Sequence, residues 1–165
     1  TVACAIPKKS KIDDIIDTLT QLGVDKIIPL KTTRVVVEMD KDKQSAKLMR
    51  WRKIAQSAAQ QSQRNTLPLI EPVIGLDEVL AGSGSYDLKL IPALIDKRKT
   101  LKQALAKKKA KNILVLIGPE GDFTPQEVAA CKAKGFIPVT LGKEVLRVAT
   151  AAAAVAGFIR LYEDN

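Results

Sequence analysis

The sequence predicts an α/β protein with a mostly parallel β-sheet and helices on both faces of that sheet. Its predicted strands are continuous apolar runs rather than alternating ones, and helical segments separate them. Strands have this composition when helices bury both of their faces. The length of 165 residues fits one domain, 1–165, and neither an internal repeat nor a second domain is visible in it.

Five apolar runs have the length and composition of strands. They lie at residues 2–6, 24–30, 86–91, 113–117 and 137–141. The run at 113–117 is the predicted central strand. A shorter extended piece is predicted at 34–38, and an extended linker is predicted between Pro68 and Pro72.

Six segments carry apolar residues at helical spacing. They lie at residues 12–22, 40–63, 76–81, 100–109, 124–134 and 148–162. Capping residues precede two of these helices, at Ser10 and Thr124, and glycines end the same two, at Gly23 and Gly135. Residues 82–85 are predicted to form a flexible turn.

Composition restricts the chemistry of this chain. Its net charge of +9 favours a polyanionic partner, nucleic acid first, although many basic proteins bind none. It has no histidine, which excludes histidine zinc sites, serine–histidine or cysteine–histidine pairs, and imidazole general bases. We therefore expect no metal, and chemistry carried by carboxylates, lysines, arginines, backbone groups or a cofactor.

The cysteines and the length of the apolar runs bear on the cellular compartment in which we expect the protein. Cys4 and Cys131 fall in different predicted elements, so we expect reduced core thiols in a cytoplasmic protein rather than a disulfide. No apolar run is long enough to cross a membrane, and no secretory signal is visible. The chain opens directly on a predicted strand, as expected for a piece of a longer protein.

The most informative stretch joins the predicted central strand to a helix. Ile117 is followed by Gly118-Pro119-Glu120-Gly121, whose composition favours a type I turn, and then by Asp122. Junctions of this kind are where α/β proteins bind small ligands, although such a turn can also simply cap a strand. A second glycine-bearing loop covers residues 141–147.

Two common nucleotide motifs do not fit these loops. A dinucleotide fingerprint needs three glycines after a strand, and Gly82-Ser83-Gly84 supplies only two. A P-loop ends in Gly-Lys-Ser/Thr, whereas Asp122 puts a carboxylate where a phosphate needs a cation. These mismatches argue against a small-molecule enzyme that uses another nucleotide. The loops suit an adenosine joined to a cation, with apolar contacts to adenine from Ile91, Ile117, Leu141, Val145 and Leu146.

Taken together, these motifs resemble the 16S rRNA uridine-N3 methyltransferases (RsmE type) of the SPOUT superfamily. The C-terminal half carries Ile117-Gly118-Pro119-Glu120-Gly121-Asp122-Phe123 with Glu127, then Leu141-Gly142, Leu146-Arg147 and Thr150-Ala151. The N-terminal half agrees at Leu22-Gly23-Val24, Ile28-Pro29, Arg34, Trp51, Lys53-Ile54, Ala58, Gln61-Ser62, Arg64 and Pro68. The chain departs from the family pattern at Gln21, Gln60 and Val148-Ala149, and at Asp122, where the family usually has a second glycine.

The resemblance implies a fold, a cofactor and partners. The fold would include a C-terminal trefoil knot, and the enzyme would act as a homodimer on small-subunit ribosomal RNA. S-adenosylmethionine would be held by three loops, at Leu90, Ile91, Pro92, Ile117, Gly118, Pro119, Glu120, Gly121, Leu141, Gly142, Val145 and Leu146. Such enzymes usually carry a small N-terminal β-barrel that helps to grip RNA and that is absent from this chain.

The implied reaction gives tasks to charged residues and leaves alternatives open. Arg147 would stabilise the anion that develops on uracil as N3 loses its proton, or form a structural ion pair, or contact an RNA phosphate. Glu120 would contact the ammonium or ribose of the cofactor, or only cap its loop. The predicted RNA-binding residues are Arg34, Arg50, Lys53 and Arg64.

Two further expectations concern the core and the C-terminal helix. Trp51 is expected in the core rather than as a platform for RNA bases. The helix at 148–162 is rich in alanine and contains Gly157, so we expect it to pack at a dimer interface. The competing interpretation of the whole chain is a catalytically degenerate RNA-binding domain of the same fold, with Asp122 and Val148-Ala149 as the signs of lost activity.

Overall fold

A computed structural model describes residues 1–7, 12–34, 41–95, 97–106 and 110–163 of the chain. Within these ranges the first half contains β1 (Val2–Ala5), α1 (Ile12–Gln21), β2 (Lys26–Lys31), α2 (Lys41–Gln61), β3 (Leu69–Ile70), β4 (Ile74–Gly75) and α3 (Leu76–Ala81). A 3₁₀ helix at Gly82–Ser85 leads to β5 (Leu88–Pro92), β6 (Lys99–Thr100), α4 (Leu101–Leu105), β7 (Ile113–Ile117), α5 (Pro125–Ala133), β8 (Ile137–Thr140) and α6 (Val148–Glu163).

The strands of the described residues form one sheet in which the strand pairs are parallel. Its order is β3-β2-β1-β7-β5-β8-β6, and β4 also pairs with β2. The strand predicted at residues 113–117, β7, lies in the middle of this order. The predicted parallel sheet is therefore confirmed, and the carboxyl ends of its strands meet at one edge.

Side chains of the central strands alternate between two apolar clusters, one on each face of the sheet. Val115 and Ile117 of β7 belong to the cluster that α1 and α6 cover, whereas Leu114 and Leu116 belong to the cluster that α3 and α5 cover. These four side chains are at most 2% exposed. Helices on both faces, as predicted, explain why the strands are continuously apolar.

The segment predicted as an extended linker contributes β3 to the sheet instead. The amides of Leu69 and Glu71 donate to carbonyls at the start of β2, at 2.8 and 3.0 Å. Pro68 and Pro72 lack an amide hydrogen and flank these donors, so both prolines are compatible with the pairing. Because β3 and β4 are two residues long, neither has enough residues for a periodic signal.

Residues 82–85, predicted as a flexible turn, form the 3₁₀ helix. Ser83 is buried there, and its hydroxyl donates to Leu80 O at 2.8 Å, which holds the helix to the end of α3. The helix predicted at 100–109 is described as α4, which ends at Leu105. The cap predicted at Ser10, residues 35–38 of the short extended piece, and positions 107–109 lie outside the described residues.

The predicted core residues are confirmed. Trp51 on α2 is 2% exposed and belongs to the larger apolar cluster. Cys4 and Cys131 are buried and unpaired with one another, and burial, followed by nearby carboxylates, raises the pKa of each thiol to about 12. Among the described residues, no helix has the length and apolar character needed to cross a membrane.

Candidate functional site

A cleft opens at the carboxyl edge of the sheet, where β7, β5 and β8 end side by side. It encloses about 600 Å³, including its open mouth. The loops after β5, β7 and β8 line it together with the first turn of α6. Since the chain passes from β7 to β8 across β5, these loops converge, as they do at ligand sites of other parallel α/β sheets.

Residues 118–122, here called the cleft turn, follow β7 directly. The amide of Asp122 donates to Pro119 O at 2.9 Å, so the hydrogen-bonded turn spans 119–122. The prediction of a type I turn at Gly118-Pro119-Glu120-Gly121 was therefore wrong by one residue, because the observed turn begins at Pro119. Asp122 closes the turn with a φ of +60°, a left-handed conformation that aspartate adopts more readily than most residues.

The carboxylate of Asp122 joins the cleft turn to the loop after β5. Its Oδ2 accepts from Leu94 N at 2.7 Å, and its Oδ1 accepts from Phe123 N at 2.8 Å. Glycine, the residue that the resemblance leads one to expect here, favours the same left-handed backbone. The departure at Asp122 thus keeps the backbone conformation and adds two hydrogen bonds beside the cleft.

Gly118 is the position at which the cleft turn has the least room. A Cβ at this residue would lie 2.9 Å from Cδ2 and Cε2 of the Phe123 ring. Phe123 is 4% exposed and packs in the cluster under α3 and α5, so its ring has little space to move. A glycine is required because the ring approaches the backbone closely.

The loop after β8 is shaped by Thr140 and Gly142. The Thr140 hydroxyl donates to Gly142 O at 2.8 Å and accepts from Gly142 N at 3.3 Å. Gly142 has a φ of +133°, which disfavours any other residue. This bend turns Glu144 and Val145 toward the cleft, and Val145 is 69% exposed at its mouth.

Nine of the twelve predicted cofactor residues line the cleft. They are Pro92, Ile117, Gly118, Pro119, Glu120, Leu141, Gly142, Val145 and Leu146. Leu90 and Ile91 are instead fully buried in β5, on opposite faces of the sheet, and Gly121 faces the side chain of Arg34. Ligand binding by these residues stays a prediction.

Several lining residues were not predicted from the sequence to belong to the site. They are Ala93, Leu94, Arg98, Asp122, Val139, Thr140, Glu144, Val148 and Ala151. The loop after β5 carries no motif, and its only signal is its place after a predicted strand that Pro92 closes. Asp122 was noted as a departure from a family pattern, although its position next to Gly121 already placed it in the loop.

The lining of the cleft combines apolar walls with charges of both signs. Ile117, Leu141 and Leu146 supply apolar surface. Arg98 brings a cation into the lining, and Glu120 and Glu144 bring carboxylates. A surface of this kind suits a ligand that has an aromatic ring and both a positive and a negative group.

Arg147 stands immediately before α6. Its carbonyl accepts from Ala151 N at 2.8 Å, the first hydrogen bond of that helix, and its side chain is exposed. Both of its chain neighbours, Leu146 and Val148, line the cleft, although Arg147 is not among the lining residues. Its predicted catalytic role stays a prediction.

Comparison with known proteins shows the family to which the chain belongs. The model of a family described as the RNA methyltransferase domain matches residues 1–160 of the chain. The chain belongs to the RNA methyltransferase domain family. It is 31% identical over 169 residues to a Mycobacterium bovis protein named ribosomal RNA small subunit methyltransferase E, a match that covers 96% of this chain and 62% of the relative. The resemblance inferred from sequence motifs is confirmed.

Solved structures of the family have the same fold. The ribosomal RNA small subunit methyltransferase E of Neisseria gonorrhoeae, solved bound to S-adenosylmethionine, superposes with a TM-score of 0.88 at 32% identity. That match covers 98% of this chain and 65% of the solved one, so the chain spans less than two thirds of both relatives. A TrmH/SpoU tRNA-modifying enzyme of A. aeolicus shares the fold at a TM-score of 0.62 and 12% identity, over 99% of this chain and 74% of that one.

For an RNA methyltransferase domain, the placement of the four predicted RNA-binding residues matters. Arg50 forms an ion pair with Asp13, and Lys53 is exposed beside it on α2. Arg34 follows β2, where it contacts the cleft turn. Arg64 donates to Val24 O at 2.7 Å, just before β2 begins.

Two of the four cations lie near opposite ends of the same strand. Arg34 follows β2 and Arg64 contacts the residues before it, and a strand of six residues is roughly 20 Å long. The side chain of Arg64 is 12% exposed and also donates to Thr20 O at 3.0 Å and to Asp25 Oδ1 at 3.1 Å. These bonds give Arg64 a structural role between α1 and β2, and RNA contact by the four stays a prediction.

Across the described ranges, no group of three or more carboxylate or cysteine side chains is arranged to hold a metal ion. That no metal takes part in the reaction stays a prediction.

Proposed function

We propose that this chain is the catalytic domain of an enzyme that transfers a methyl group from S-adenosylmethionine to N3 of a uridine in small-subunit ribosomal RNA. One observation carries the proposal: a chain that matches the RNA methyltransferase domain over residues 1–160 forms a cleft from loops after β5, β7 and β8. Those are the loops that the resemblance assigns to the cofactor. The choice of uridine N3 follows from the resemblance.

The lining of the cleft fits S-adenosylmethionine in its chemistry. Ile117, Leu141 and Leu146 would contact the adenine ring, and the backbone of the cleft turn would bond its polar edge. Glu120 would accept a hydrogen bond from the ribose or the ammonium group, and Arg98 would pair with the carboxylate.

Bound S-adenosylmethionine supplies a methyl group made electrophilic by its sulfonium. The tasks left to the chain are to orient the uridine and to stabilise the negative charge that develops on its ring. Arg147 has the position for the second task because it borders the cleft and offers a fork of donors. The chain contains no histidine, so no imidazole removes the N3 proton.

We also propose that the fold contains the trefoil knot of SPOUT enzymes. The path of the chain supports it. Strand β8 pairs with β5, in the half of the sheet that follows β7 in the strand order. After β8 the chain passes the cleft turn. Helix α6 then packs on α1 and on β1, which lies on the other side of β7 in that order. The resemblance to a TrmH/SpoU enzyme at the level of the fold is consistent with this path.

The active form would be a homodimer that works on ribosomal RNA in the cytoplasm. The outward face of α6 supports this proposal, because Phe158 is 39% exposed and Leu161 is 69% exposed. Gly157 was expected to allow close approach of the partner subunit. Its Cα instead faces the same chain, because a Cβ there would lie 4.0 Å from Leu22, so Gly157 adds little support for the dimer. The net charge of +9 suits an RNA partner.

Two measurements on the purified chain test the function. Calorimetric titration with S-adenosylmethionine is expected to give micromolar binding at about one site per chain. Incubation with labelled cofactor and small ribosomal subunits is expected to place the label in N3-methyluridine, identified by mass spectrometry of the digested RNA. Absence of binding would favour the degenerate RNA-binding domain, and label in another nucleoside would refute the proposed target.

A further inference from the structure

A second set of contacts holds the cleft turn from the side of β2. Residues 32–34, here called the β2 loop, follow the carboxyl end of that strand. Arg34 Nη1 donates to Gly121 O and also to Asp122 O, the latter at 3.3 Å. A Cβ at Gly121 would lie 3.3 Å from Arg34 Cδ, so the stem of the arginine crosses the turn in close contact.

The β2 loop is itself fixed by the carboxylate of Glu127. Thr33 donates to Glu127 Oε1 from its amide at 2.9 Å and from its hydroxyl at 3.0 Å. The other oxygen, Oε2, accepts from Thr124 N at 2.8 Å and so completes the cap of α5. One carboxylate therefore joins the start of α5 to the residue that precedes Arg34.

We propose that Arg34 is a positioning residue for the cofactor: fixed through Thr33 and Glu127, it holds the carbonyls of Gly121 and Asp122 so that the cleft turn is already shaped for S-adenosylmethionine. This inference rests on the proposed function. A guanidinium binds two neighbouring carbonyls strongly because its donors are charged and rigidly spaced. A preformed turn loses less conformational entropy when the ligand binds, which raises affinity.

The inference changes the role expected for Arg34. If Arg34 only contacts RNA, as predicted from the sequence, its loss weakens RNA binding and leaves cofactor binding intact. A positioning role predicts weaker cofactor binding when no RNA is present. Asp122 holds the opposite side of the same turn through Leu94 N, so the cleft turn is anchored on two sides.

The test is calorimetric titration of the purified chain with S-adenosylmethionine alone. Arg34→Ala is expected to weaken the affinity about ten-fold, because two charge-assisted hydrogen bonds are lost. Arg34→Lys is expected to fall between Arg34→Ala and the unaltered chain, since an ammonium keeps the charge but is carried on a flexible stem that does not fix the direction of its donors. Arg52→Ala, which removes an exposed arginine on α2, is the matched control and should leave the affinity unchanged.

A double-mutant cycle separates this role from direct contact between Gly121 and the ligand. Gly121→Ala would push the Arg34 stem aside, so it should weaken binding in the unaltered chain and add little to Arg34→Ala. In steady-state assays on small ribosomal subunits, Arg34→Ala should raise the KM for S-adenosylmethionine and leave kcat within two-fold.

The outcomes distinguish the inference from the proposed function. If the unaltered chain binds S-adenosylmethionine and Arg34→Ala binds it equally well, with an unchanged melting temperature, the positioning role is overturned. Fully additive effects in the cycle would also overturn it. Failure of the unaltered chain to bind would count against the proposed function itself.

Discussion

Arg147 is the residue on which the proposed chemistry depends most. Its replacement by alanine is expected to lower methyl transfer about 100-fold or more, because a donor to the developing anion is lost. Affinity for S-adenosylmethionine and the melting temperature should stay the same, since its side chain is exposed outside the cleft lining. Single-turnover transfer of labelled methyl to small ribosomal subunits measures the effect.

The matched control for Arg147 is Lys143→Ala, which removes an exposed cation from the same loop and should change the rate little. Equal rates for Arg147→Ala and the unaltered chain would contradict the role given to this arginine. An Arg147→Ala variant that loses affinity for ribosomal subunits but keeps its rate at saturation would instead make Arg147 an RNA contact.

Gly118→Ala tests the tight approach between the cleft turn and Phe123. The added methyl group would meet the buried ring at 2.9 Å, so we expect a loss of about 1–3 kcal/mol in the free energy of unfolding. Weaker binding of S-adenosylmethionine should accompany it, because the turn has to move. Denaturant unfolding and calorimetry measure the two effects.

Gly84→Ala is the control, since a Cβ at that position meets nothing within 4 Å. It should leave both stability and cofactor affinity close to those of the unaltered chain. Unchanged stability in Gly118→Ala would show that the Phe123 ring moves away easily, against the packing described above.

The hydrogen-bond partners of individual cations could not be predicted from the sequence. Arg64 looks like any other cation in a basic chain, yet its guanidinium bonds Thr20 O, Val24 O and Asp25. Which carbonyls come within its reach depends on how the turn between α1 and β2 packs against the end of α2. That arrangement is tertiary, and no local pattern encodes it.

At the scale of elements, α5 owes part of its stability to Glu127. Burial alone would raise the pKa of this carboxyl, but hydrogen bonds from Thr33 and Thr124 outweigh burial and hold the pKa below its ordinary value. A carboxyl with a lowered pKa stabilises the fold at pH values above its unfolded pKa, and that stabilisation is lost as the pH falls through the folded pKa.

Glu127→Gln should therefore reduce the free energy of unfolding by about 1 kcal/mol at pH 7. The difference from the unaltered chain should shrink as the pH falls through the lowered pKa of the native carboxyl, because the native side chain then also takes up a proton. Denaturant unfolding between pH 3 and 7 tests this prediction.

Glu78→Gln is the companion variant for Glu127, because Glu78 accepts from Gly75 N in a similar cap at the start of α3. It should lower stability by less, since the cap of α3 is not joined to the β2 loop in this way. The prediction for Glu127 would be contradicted if Glu127→Gln and the unaltered chain differed in free energy of unfolding by the same amount at every pH.

Two elements with a clear local signal were predicted at their observed bounds. The helix at 76–81 and the strand at 113–117 agree with α3 and β7 residue for residue, because helical spacing and a continuous apolar run are properties of the segment itself. β3, β4 and β6 were not predicted. Each of these strands is two residues long, which is too short for a periodic pattern of apolar residues. Such strands form only because a neighbouring strand provides hydrogen-bond partners along its edge.

At the scale of the whole molecule, α6 is the expected dimer contact. Leu161→Arg places a charge on its exposed apolar face near the helix C-terminus, where a cation is compatible with the helix dipole. Burial of two such charges across a symmetric contact is costly, so the variant should be monomeric at concentrations at which the unaltered chain is a dimer. Light scattering after size-exclusion chromatography measures this.

Met49→Arg is the control for Leu161→Arg, because Met49 is a similarly exposed apolar residue on α2, at 61% against 69%. It should leave the dimer intact. A monomeric unaltered chain would refute the dimer, and a dimer that survives Leu161→Arg would move the interface away from the outward face of α6.

The sequence predicted the layers of this molecule but not the order of its strands. Continuous apolar runs require helices on both sides, and this holds for any arrangement of parallel strands. The order, with β7 between β1 and β5, depends on where each connection crosses the sheet. The motifs located two of the three loops around the cleft, and the family resemblance placed the third at Leu90, Ile91 and Pro92. The residues beyond Pro92 that line the cleft, such as Arg98, were not predicted.

The position of β1 also has a consequence for how the protein is made. Val2 pairs with Val115, and the contacting positions Thr1 and Ile113 are 112 residues apart. At a translation rate of 5–20 residues per second, β1 waits about 6–20 s before β7 is synthesised. During that time one edge of β1 lacks its partner, so nascent chains are most exposed to aggregation and to chaperone binding before residue 117 has emerged from the ribosome.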